Sequence, residues 1–201
     1  MRREFFERPV LEVARDLVGC IVRHGDTAGV IVETEAYHDS EPACHAYAGL
    51  TPRTATLFGP PGRAYVYCSY GVHAMLNAVS DAEGVGAAVL IRALEPLAGL
   101  DAMRARRGLD RLEDLCSGPG RLTQALGIGP DDRGASLLSP ESCVRLHRGP
   151  APSSVSAGPR VGISVATALP WRFWETDAGT VSAFRAGGKS RRGTAGQDGI
   201  L

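Results

Sequence analysis

The sequence contains almost no lysine. Lys189 is the only one, and the other 21 basic residues are arginines. Enzymes that work through a Schiff base need a lysine amine that is held in a pocket and attacks a carbonyl carbon. The composition therefore disfavours that class of mechanism for this chain.

Paired cysteines and long apolar runs are lacking as well. The five cysteines are scattered and form no C-x-x-C motif, so we expect reduced, buried thiols and neither a disulfide framework nor a zinc site. Acidic residues interrupt the first 20 positions, which excludes the apolar core of a signal peptide. No stretch approaches the roughly 20 apolar residues of a membrane span. The expectation is a cytosolic protein that binds no membrane.

Net charge is zero, but the charges are unevenly distributed. From residue 143 onward there are eight Lys/Arg against three Asp/Glu, whereas residues 1–142 carry 14 against 19. A basic C-terminal part is compatible with a polyanionic partner. The asymmetry alone does not establish nucleic-acid binding.

The chain is long enough for one domain with its own core, since 44% of its 201 residues are hydrophobic. Hydrophobic periodicity predicts helices within 8–19, 97–108 and 117–129. It predicts two strands within 20–37 that turn at Gly25-Asp26, and further strands at 64–69, 73–79, 86–94, 143–147, 160–166 and 171–175. Loops are expected at 38–62 and 149–159. The prediction is an α+β domain over 1–184, followed by a mobile Gly/Arg-rich tail, 185–201.

Aromatic residues make up only 6% of the chain, yet all five tyrosines lie between residues 37 and 70. Strand alternation puts Tyr65 and Tyr67 on one face, where packing in a half-buried sheet is the ordinary explanation. Tyr70 has the other parity and stands beside Gly71 at the predicted turn. A large ring at a turn is expected to face water, and it suits a wedge between stacked nucleic-acid bases.

Several polar residues interrupt the apolar strands. Alternation directs Glu33 and Glu35 to one face, where the spacing alone favours solvated edge residues over a general base. Two side-by-side carboxylates also do not suit the flanking acid–base pair of a sugar hydrolase. Asn77 requires a hydrogen-bond partner, which is either backbone or a ligand edge. Arg92 is expected to form an ion pair with Glu33, Glu35 or Glu95.

Seven segments occur in an order that resembles the alkyladenine DNA glycosylase family, the 3-methyladenine type of mammals and many bacteria: "VETEAY", "CHAYAGLTPRT", "FGPPGRAYVY", "YGVHAMLN", "VLIRALEPL", "LCSGPGRLTQALGI" and "RVGI". The resemblance extends from about residue 8 to residue 175. It implies a curved, mostly antiparallel sheet with flanking helices and a protruding β-hairpin for the DNA minor groove. It also implies a monofunctional base excision repair enzyme that flips alkylated or deaminated purines out of duplex DNA and hydrolyses the N-glycosidic bond, without metal or cofactor.

The resemblance implies roles for individual residues in hydrolysis. Glu35 matches the general base that activates the water attacking the sugar C1′. Arg92 and the backbone carbonyl of Val161 match groups that help to hold that water. The expected product is an abasic site.

Further matches concern recognition of the base and the duplex. The resemblance implies that the flipped base stacks on Tyr37 on one side and on His45 and Tyr67 on the other, and that the backbone around His45 reads the base edge. Asn77 matches the residue that crowds the 2-amino group of guanine, and Tyr70 matches the intercalating residue. The implied partner is damaged double-stranded DNA, bound by a monomer that associates with the nucleoid through DNA.

The chain departs from the family pattern in three places. Val72 stands where many relatives have a larger apolar residue, Cys68-Ser69 is smaller and more polar than the pairs often found there, and Thr54 stands where Asn is frequent. These departures concern the wedge and the range of bases accepted. Two other functions remain open at this point: a lesion-binding protein without catalysis, and a hydrolase of free nucleosides.

Overall fold

The structure, a computed structural model, describes residues 1–182. Within these residues there are four α-helices: α1 (Val10–Asp16), α2 (Leu100–Arg107), α3 (Leu112–Leu115) and α4 (Pro119–Leu126). The eight strands are β1 (Ile21–His24), β2 (Thr27–His38), β3 (Ala64–Ser69), β4 (His73–Val79), β5 (Ala87–Ala98), β6 (Val144–His147), β7 (Val155–Gly158) and β8 (Arg172–Glu175). One-turn 3-10 helices cover Arg3–Phe5, His45–Ala48, Ala55–Phe58 and Pro130–Asp132. This is the predicted α+β class in a single domain.

All strand pairs in the sheet are antiparallel. The order is β3-β4-β5-β2-β1-β6, and β8 pairs with both β2 and β7. The 12-residue strand β2 is central: β5 lies along one edge, while β1 and then β8 share the other. Two irregularities in the β2–β5 register, on either side of Glu33, bend the sheet at this point.

The two faces of the sheet have different coverings. Residues of one parity, among them Val66, Leu76, Val89 and Ile91, belong to the main core. Helices α1 and α4 supply much of the packing on this side, and the Thr34 hydroxyl donates to the Ala14 carbonyl of α1. Residues of the other parity face a smaller cluster that includes Cys44, Leu57 and Tyr65.

On this second face, a row of paired residues crosses five strands. Tyr65 of β3 is opposite Asn77 of β4, Asn77 is opposite Leu90 of β5, and Leu90 is opposite Glu35 of β2. Glu35 is in turn opposite Arg172 of β8. Because adjacent strands are about 4.8 Å apart, Asn77 and Glu35 lie about 10 Å from each other, two strands away. Residues that are distant in the chain are thereby placed along one line.

The segment after residue 149 differs from the prediction. Residues 155–158, expected in a loop, form β7 and pair with β8, whereas 160–166, expected to be a strand, is irregular. The backbone N–H of Val161 donates to a carboxylate of the sheet and not to a neighbouring strand. Strand β5 is also longer than predicted, since it continues through Pro96 to Ala98.

Most of the remaining elements follow the predicted pattern, although no helix was predicted at Leu112–Leu115. The Gly25-Asp26 turn joins β1 to β2, and Gly127, with a φ of 78°, ends α4. All five cysteines are free, as predicted, but only Cys20, Cys44 and Cys116 are buried, because Cys68 and Cys143 are exposed. In the described part of the chain no helix has the length and apolar character to cross a membrane. The predicted boundary at 184 and the tail 185–201 lie outside the described residues.

Candidate active site

A pocket of about 180 Å³ opens on the second face of the sheet. Its size is below the range of sites for drug-sized ligands, so it suits one small group. Strands β2, β3, β4 and β5 each contribute to it, together with the loop that follows β2. The lining residues are Tyr37, Ala43, Cys44, His45, Leu57, Tyr65, Tyr67, Asn77, Ala88 and Ile163.

Aromatic rings form much of this lining. The His45 and Tyr67 rings meet edge to face with their centroids 4.6 Å apart, and Tyr65 lies 5.6 Å from Tyr67. The His45 Nδ1 is 3.1 Å from the Tyr65 hydroxyl, which therefore orients the imidazole. Burial and the nearby Arg53 cation lower the pKa of His45, and burial raises the pKa of Tyr67 to about 12. This wall is uncharged at neutral pH.

Asn77 is buried at the edge of the pocket. Its Nδ2 donates to the backbone carbonyls of Tyr65, at 3.1 Å, and Met75, at 3.3 Å. Backbone carbonyls therefore hold the Asn77 amide in place. Because Asn77 also lines the pocket, its side chain would lie beside a bound ligand. Both partners considered from the sequence are compatible with this position.

Glu35 is the fourth of the five residues in the row and has no exposed surface. Its Oε1 accepts from the Val161 N–H at 2.6 Å, and its Oε2 accepts from the Tyr37 hydroxyl at 2.8 Å and from Arg92 Nη1 at 3.2 Å. Burial raises the pKa of Glu35, while Arg92, the Val161 N–H and the Tyr37 hydroxyl lower it in part. The raised pKa makes this carboxylate a better proton acceptor than an ordinary glutamate.

Glu33 is also fully buried, so the interpretation of solvated edge carboxylates was wrong. Its Oε1 accepts from Arg92 Nε at 3.0 Å and from Arg172 Nε at 2.7 Å. Arg92 thus bridges Glu33 and Glu35, which confirms the expected ion pair. The alternation that placed both carboxylates on one face is confirmed by the same contacts.

A third buried arginine, Arg160, lies behind the Tyr37 ring. The Arg160 guanidinium is 4.6 Å from the centre of this ring and 5.4 Å from that of Trp171. Arg160 is 2% exposed and does not line the pocket. It donates to both carboxylate oxygens of Glu41, at 2.7 and 2.9 Å, and to the Ala36 carbonyl. These contacts fix the plane of Tyr37 from behind.

Tyr70 lies in the turn between β3 and β4, where 97% of its surface is exposed. Tyr70 and Gly71 have φ angles of 51° and 73°, and the Val72 N–H donates to the Ser69 carbonyl. Positive φ at both central residues of the Ser69–Val72 turn matches the twist of the flanking strands. The exposure predicted for this ring is confirmed.

A model of the family described as methylpurine-DNA glycosylase matches residues 4–179. The chain belongs to the methylpurine-DNA glycosylase family. This confirms the resemblance seen in the motifs and, as a class, a DNA glycosylase that acts on N-glycosyl bonds.

Curated relatives that carry the name "Putative 3-methyladenine DNA glycosylase" match most of the chain. The protein from Rhodopseudomonas palustris (strain HaA2) is 53% identical over 173 residues, which cover 86% of this chain and 85% of the relative. The protein from Granulibacter bethesdensis is 51% identical over 184 residues, covering 90% and 87%. The protein from Agrobacterium fabrum is 50% identical over 171 residues, covering 85% and 86%.

The structure brings together seven of the eight residues that the sequence connected with a methylpurine-DNA glycosylase site, and Tyr70 stands apart at the turn. The seven, which lie in the pocket or in contact with Glu35, are Glu35, Tyr37, His45, Tyr67, Asn77, Arg92 and Val161. At Val161 the visible contact is made by the N–H, and the role expected of its carbonyl stays a prediction. Among residues 1–182 no group of three or more His, Cys, Asp or Glu side chains could hold a metal ion.

Sequence reasoning missed the residues that hold the site in place. Arg160 was part of the quoted segment "RVGI" but received no role, and its partner Glu41 comes from the loop after β2. Arg172 and Ser182 join Glu33 from the C-terminal part of the chain. The only signal for Arg160 was a charged residue within that motif, since long-range ion pairs leave no periodic pattern.

Proposed function

We propose that this protein is a monofunctional DNA glycosylase that flips alkylated or deaminated purines out of duplex DNA and hydrolyses their N-glycosidic bond. The observation that carries the proposal is the position of Glu35, a buried carboxylate that shares a hydrogen bond with Tyr37 of the aromatic pocket. A base held in the pocket would present its sugar to this carboxylate. The family membership supports the same chemistry.

Glu35 acts as the general base in this proposal. It takes a proton from a water molecule as the oxygen bonds to C1′, and the electron pair of the N-glycosidic bond leaves with the purine. Arg92 Nη1 and the Val161 N–H keep the Glu35 carboxylate in place, and Arg92 and the Val161 carbonyl hold the water. The products are the free base and an abasic site.

The pocket lining suits an alkylated purine. An N-alkylated purine carries a positive charge, which makes it a good leaving group and allows one carboxylate to suffice. Stacking of the base between Tyr37 and the pair His45 and Tyr67 contributes about 1–3 kcal/mol for each contact. Attraction between a cationic base and these electron-rich rings adds of the order of 1 kcal/mol. Asn77 would exclude normal guanine because its side chain would crowd the 2-amino group of that base.

Tyr70 has a separate task in the duplex. Flipping a nucleotide costs a few kcal/mol because pairing and stacking are lost. Entry of the exposed Tyr70 ring from the minor groove fills the gap and offsets part of this cost. In this proposal a single copy of the chain binds the damaged duplex and needs neither a metal nor a cofactor.

The test of this function is Glu35→Gln, measured by single-turnover release of 7-methylguanine or ethenoadenine from a duplex. The amide cannot accept the proton from water, so base release is expected to fall by at least about 100-fold while binding of the lesion duplex persists. Glu95→Gln is the matched control, because Glu95 is an exposed carboxylate on β5 and its replacement should leave the rate unchanged.

Other results of these assays would contradict the proposal in distinguishable ways. Base release by Glu35→Gln at the wild-type rate would show that Glu35 is not the general base. Binding of lesion duplexes by the wild-type protein without any base release would identify a lesion-binding protein. Release from free nucleosides but not from a duplex would identify a nucleoside hydrolase.

A further inference from the structure

Ser182 joins the C-terminal part of the described chain to a cluster of four buried charges: Glu33, Glu35, Arg92 and Arg172. Its N–H and its hydroxyl donate to the two oxygens of Glu33, at 2.9 and 2.8 Å. The same hydroxyl accepts from Arg92 Nη2 at 3.1 Å, and the Ser182 carbonyl accepts from Arg172 Nη2 at 3.0 Å. One residue thus contacts three of the four charged side chains in this cluster.

Ser182 lies far from Glu33 in the sequence and beyond the segment that matches the family model. The match to the family model ends at residue 179, three residues earlier. Ser182 follows a short irregular segment after β8, and it reaches Glu33 across 149 positions of sequence. No side chain of the pocket lining comes from this segment.

The hydroxyl of Ser182 connects a cation to an anion. It accepts from Arg92 and donates to Glu33, so it continues a chain of hydrogen bonds from Glu33 through Arg92 to Glu35. Arg92 has three nitrogens, and each has a different partner: Nε has Glu33, Nη1 has Glu35 and Nη2 has Ser182. The planar guanidinium is therefore fixed in its plane as well as in its distance from Glu35.

We propose that Ser182 is a positioning residue for the general base, which holds the Arg92 guanidinium against Glu35 through its contacts with Glu33 and Arg92. This inference rests on the proposed function of Glu35. The segment from β8 to Ser182 accordingly supports the general base, although it does not line the pocket.

Loss of the hydroxyl should act on Glu35 through Arg92. In Ser182→Ala the Nη2 of Arg92 loses its partner, and the guanidinium gains freedom to move away from Glu35. A displacement of 1 Å in a catalytic group can lower a rate about 100-fold. We therefore expect single-turnover base release to fall by about 10- to 100-fold, and Ser182→Thr, which keeps a hydroxyl, to restore most of the rate.

A pH profile separates positioning from a loss of folded protein. The charged and titratable groups that face Glu35 or its partners come from β2, β3, β5, β8 and the loop before β8: Glu33, Tyr37, Tyr67, Arg92, Arg160 and Arg172. A looser Arg92 stabilises the Glu35 anion less, so the acid limb of Ser182→Ala should move to higher pH. Glu33→Gln removes a like charge, so its acid limb should move to lower pH.

The experiment compares wild type, Ser182→Ala, Ser182→Thr and Glu33→Gln in the full chain. Single-turnover release of 7-methylguanine from a duplex is measured across the acid limb, because this base is already cationic and its own protonation does not enter. Ser142→Ala is the matched control: Ser142 is also half-buried, its hydroxyl donates to the Val144 carbonyl, and it contacts no residue of the site. Titration of the Glu35 carboxyl carbon by NMR, assigned with Glu35→Gln, gives the same pKa changes without any activity.

Opposite shifts in Ser182→Ala and Glu33→Gln, with Ser142→Ala unchanged, would support the positioning role. An unchanged rate and pH profile in Ser182→Ala would overturn it, as would a lower rate with an unmoved acid limb and an unmoved NMR titration. If the wild type releases no base, the proposed function fails, whereas the NMR titration still decides whether Ser182 holds Arg92 against Glu35.

Discussion

Glu35 combines two properties that oppose each other. Burial raises the pKa of Glu35, so the folded protein binds a proton at Glu35 more tightly than the unfolded chain does. In the unfolded chain glutamates titrate near pH 4.3. The resulting stabilisation is fully present below the unfolded pKa and is lost as the pH rises through the folded pKa. At neutral pH, where catalysis requires the anion, Glu35 therefore reduces stability. Arg92, Tyr37 and the Val161 N–H limit this effect.

Tyr37→Phe tests how far the Tyr37 hydroxyl lowers the pKa of Glu35. The Tyr37 hydroxyl lies 2.8 Å from Glu35 Oε2 and stabilises the anion, so its removal should raise the pKa of Glu35. The acid limb of 7-methylguanine release should move to higher pH, while the rate well above this limb changes little because the ring still stacks. Tyr47→Phe, at an exposed tyrosine, is the control. An unmoved acid limb would contradict the contact seen here.

At the scale of elements, the β3–β4 turn exposes a large ring that contributes nothing to the core. Tyr70→Ala should leave the free energy of unfolding almost unchanged and weaken binding to a lesion duplex by about 1–3 kcal/mol, or roughly 5- to 150-fold in Kd. Fluorescence anisotropy with a labelled duplex measures the binding. Any cleavage of a free methylated nucleoside should be unaffected. An equal loss on both substrates would refute the wedge.

The loop that contains Arg160 has no partner strand and is held by side chains. Glu41→Gln leaves the Arg160 cation without its full counter-charge in a buried place, and such a loss typically costs 3–5 kcal/mol. We expect a large fall in the free energy of unfolding by urea and a slower base release, since Tyr37 loses its support. Glu113→Gln, at an exposed ion pair, should change stability little. A neutral effect of Glu41→Gln would show that Arg160 does not depend on Glu41.

At the scale of the whole molecule, the scarcity of lysine predicts hydrolysis by water alone. Lys189 lies outside the described residues, and no other lysine exists to form an imine with C1′. Borohydride added during the reaction with a lesion duplex should therefore trap no covalent protein–DNA adduct, as read by denaturing gel electrophoresis. A glycosylase with known lyase activity serves as the positive control. An adduct at Lys189 or at the Met1 amine would refute the monofunctional assignment.

The elements could be predicted from sequence where their residues alternate with one regular period. Strands β3 and β4 and helix α4 lie at or near the expected bounds because apolar spacing and Gly127 are local signals. Strand β7 was missed because its four residues have no clear alternation and gain their bonds only from β8. The predicted strand at 160–166 is irregular because Arg160 and the Val161 N–H bind Glu41 and Glu35.

The sequence by itself determined the class of the molecule and the set of side chains available for chemistry: the α+β pattern, the order of motifs and the parity that puts Glu33 and Glu35 on one face. Only the tertiary structure decided that these carboxylates are buried, that one arginine bridges them and that Ser182 completes their contacts. The physical reason is the separation along the sequence over which each property is determined. Periodicity records which way a side chain points from its own strand, whereas the charge pairing of Glu33 and Glu35 depends on residues 57 to 149 positions away.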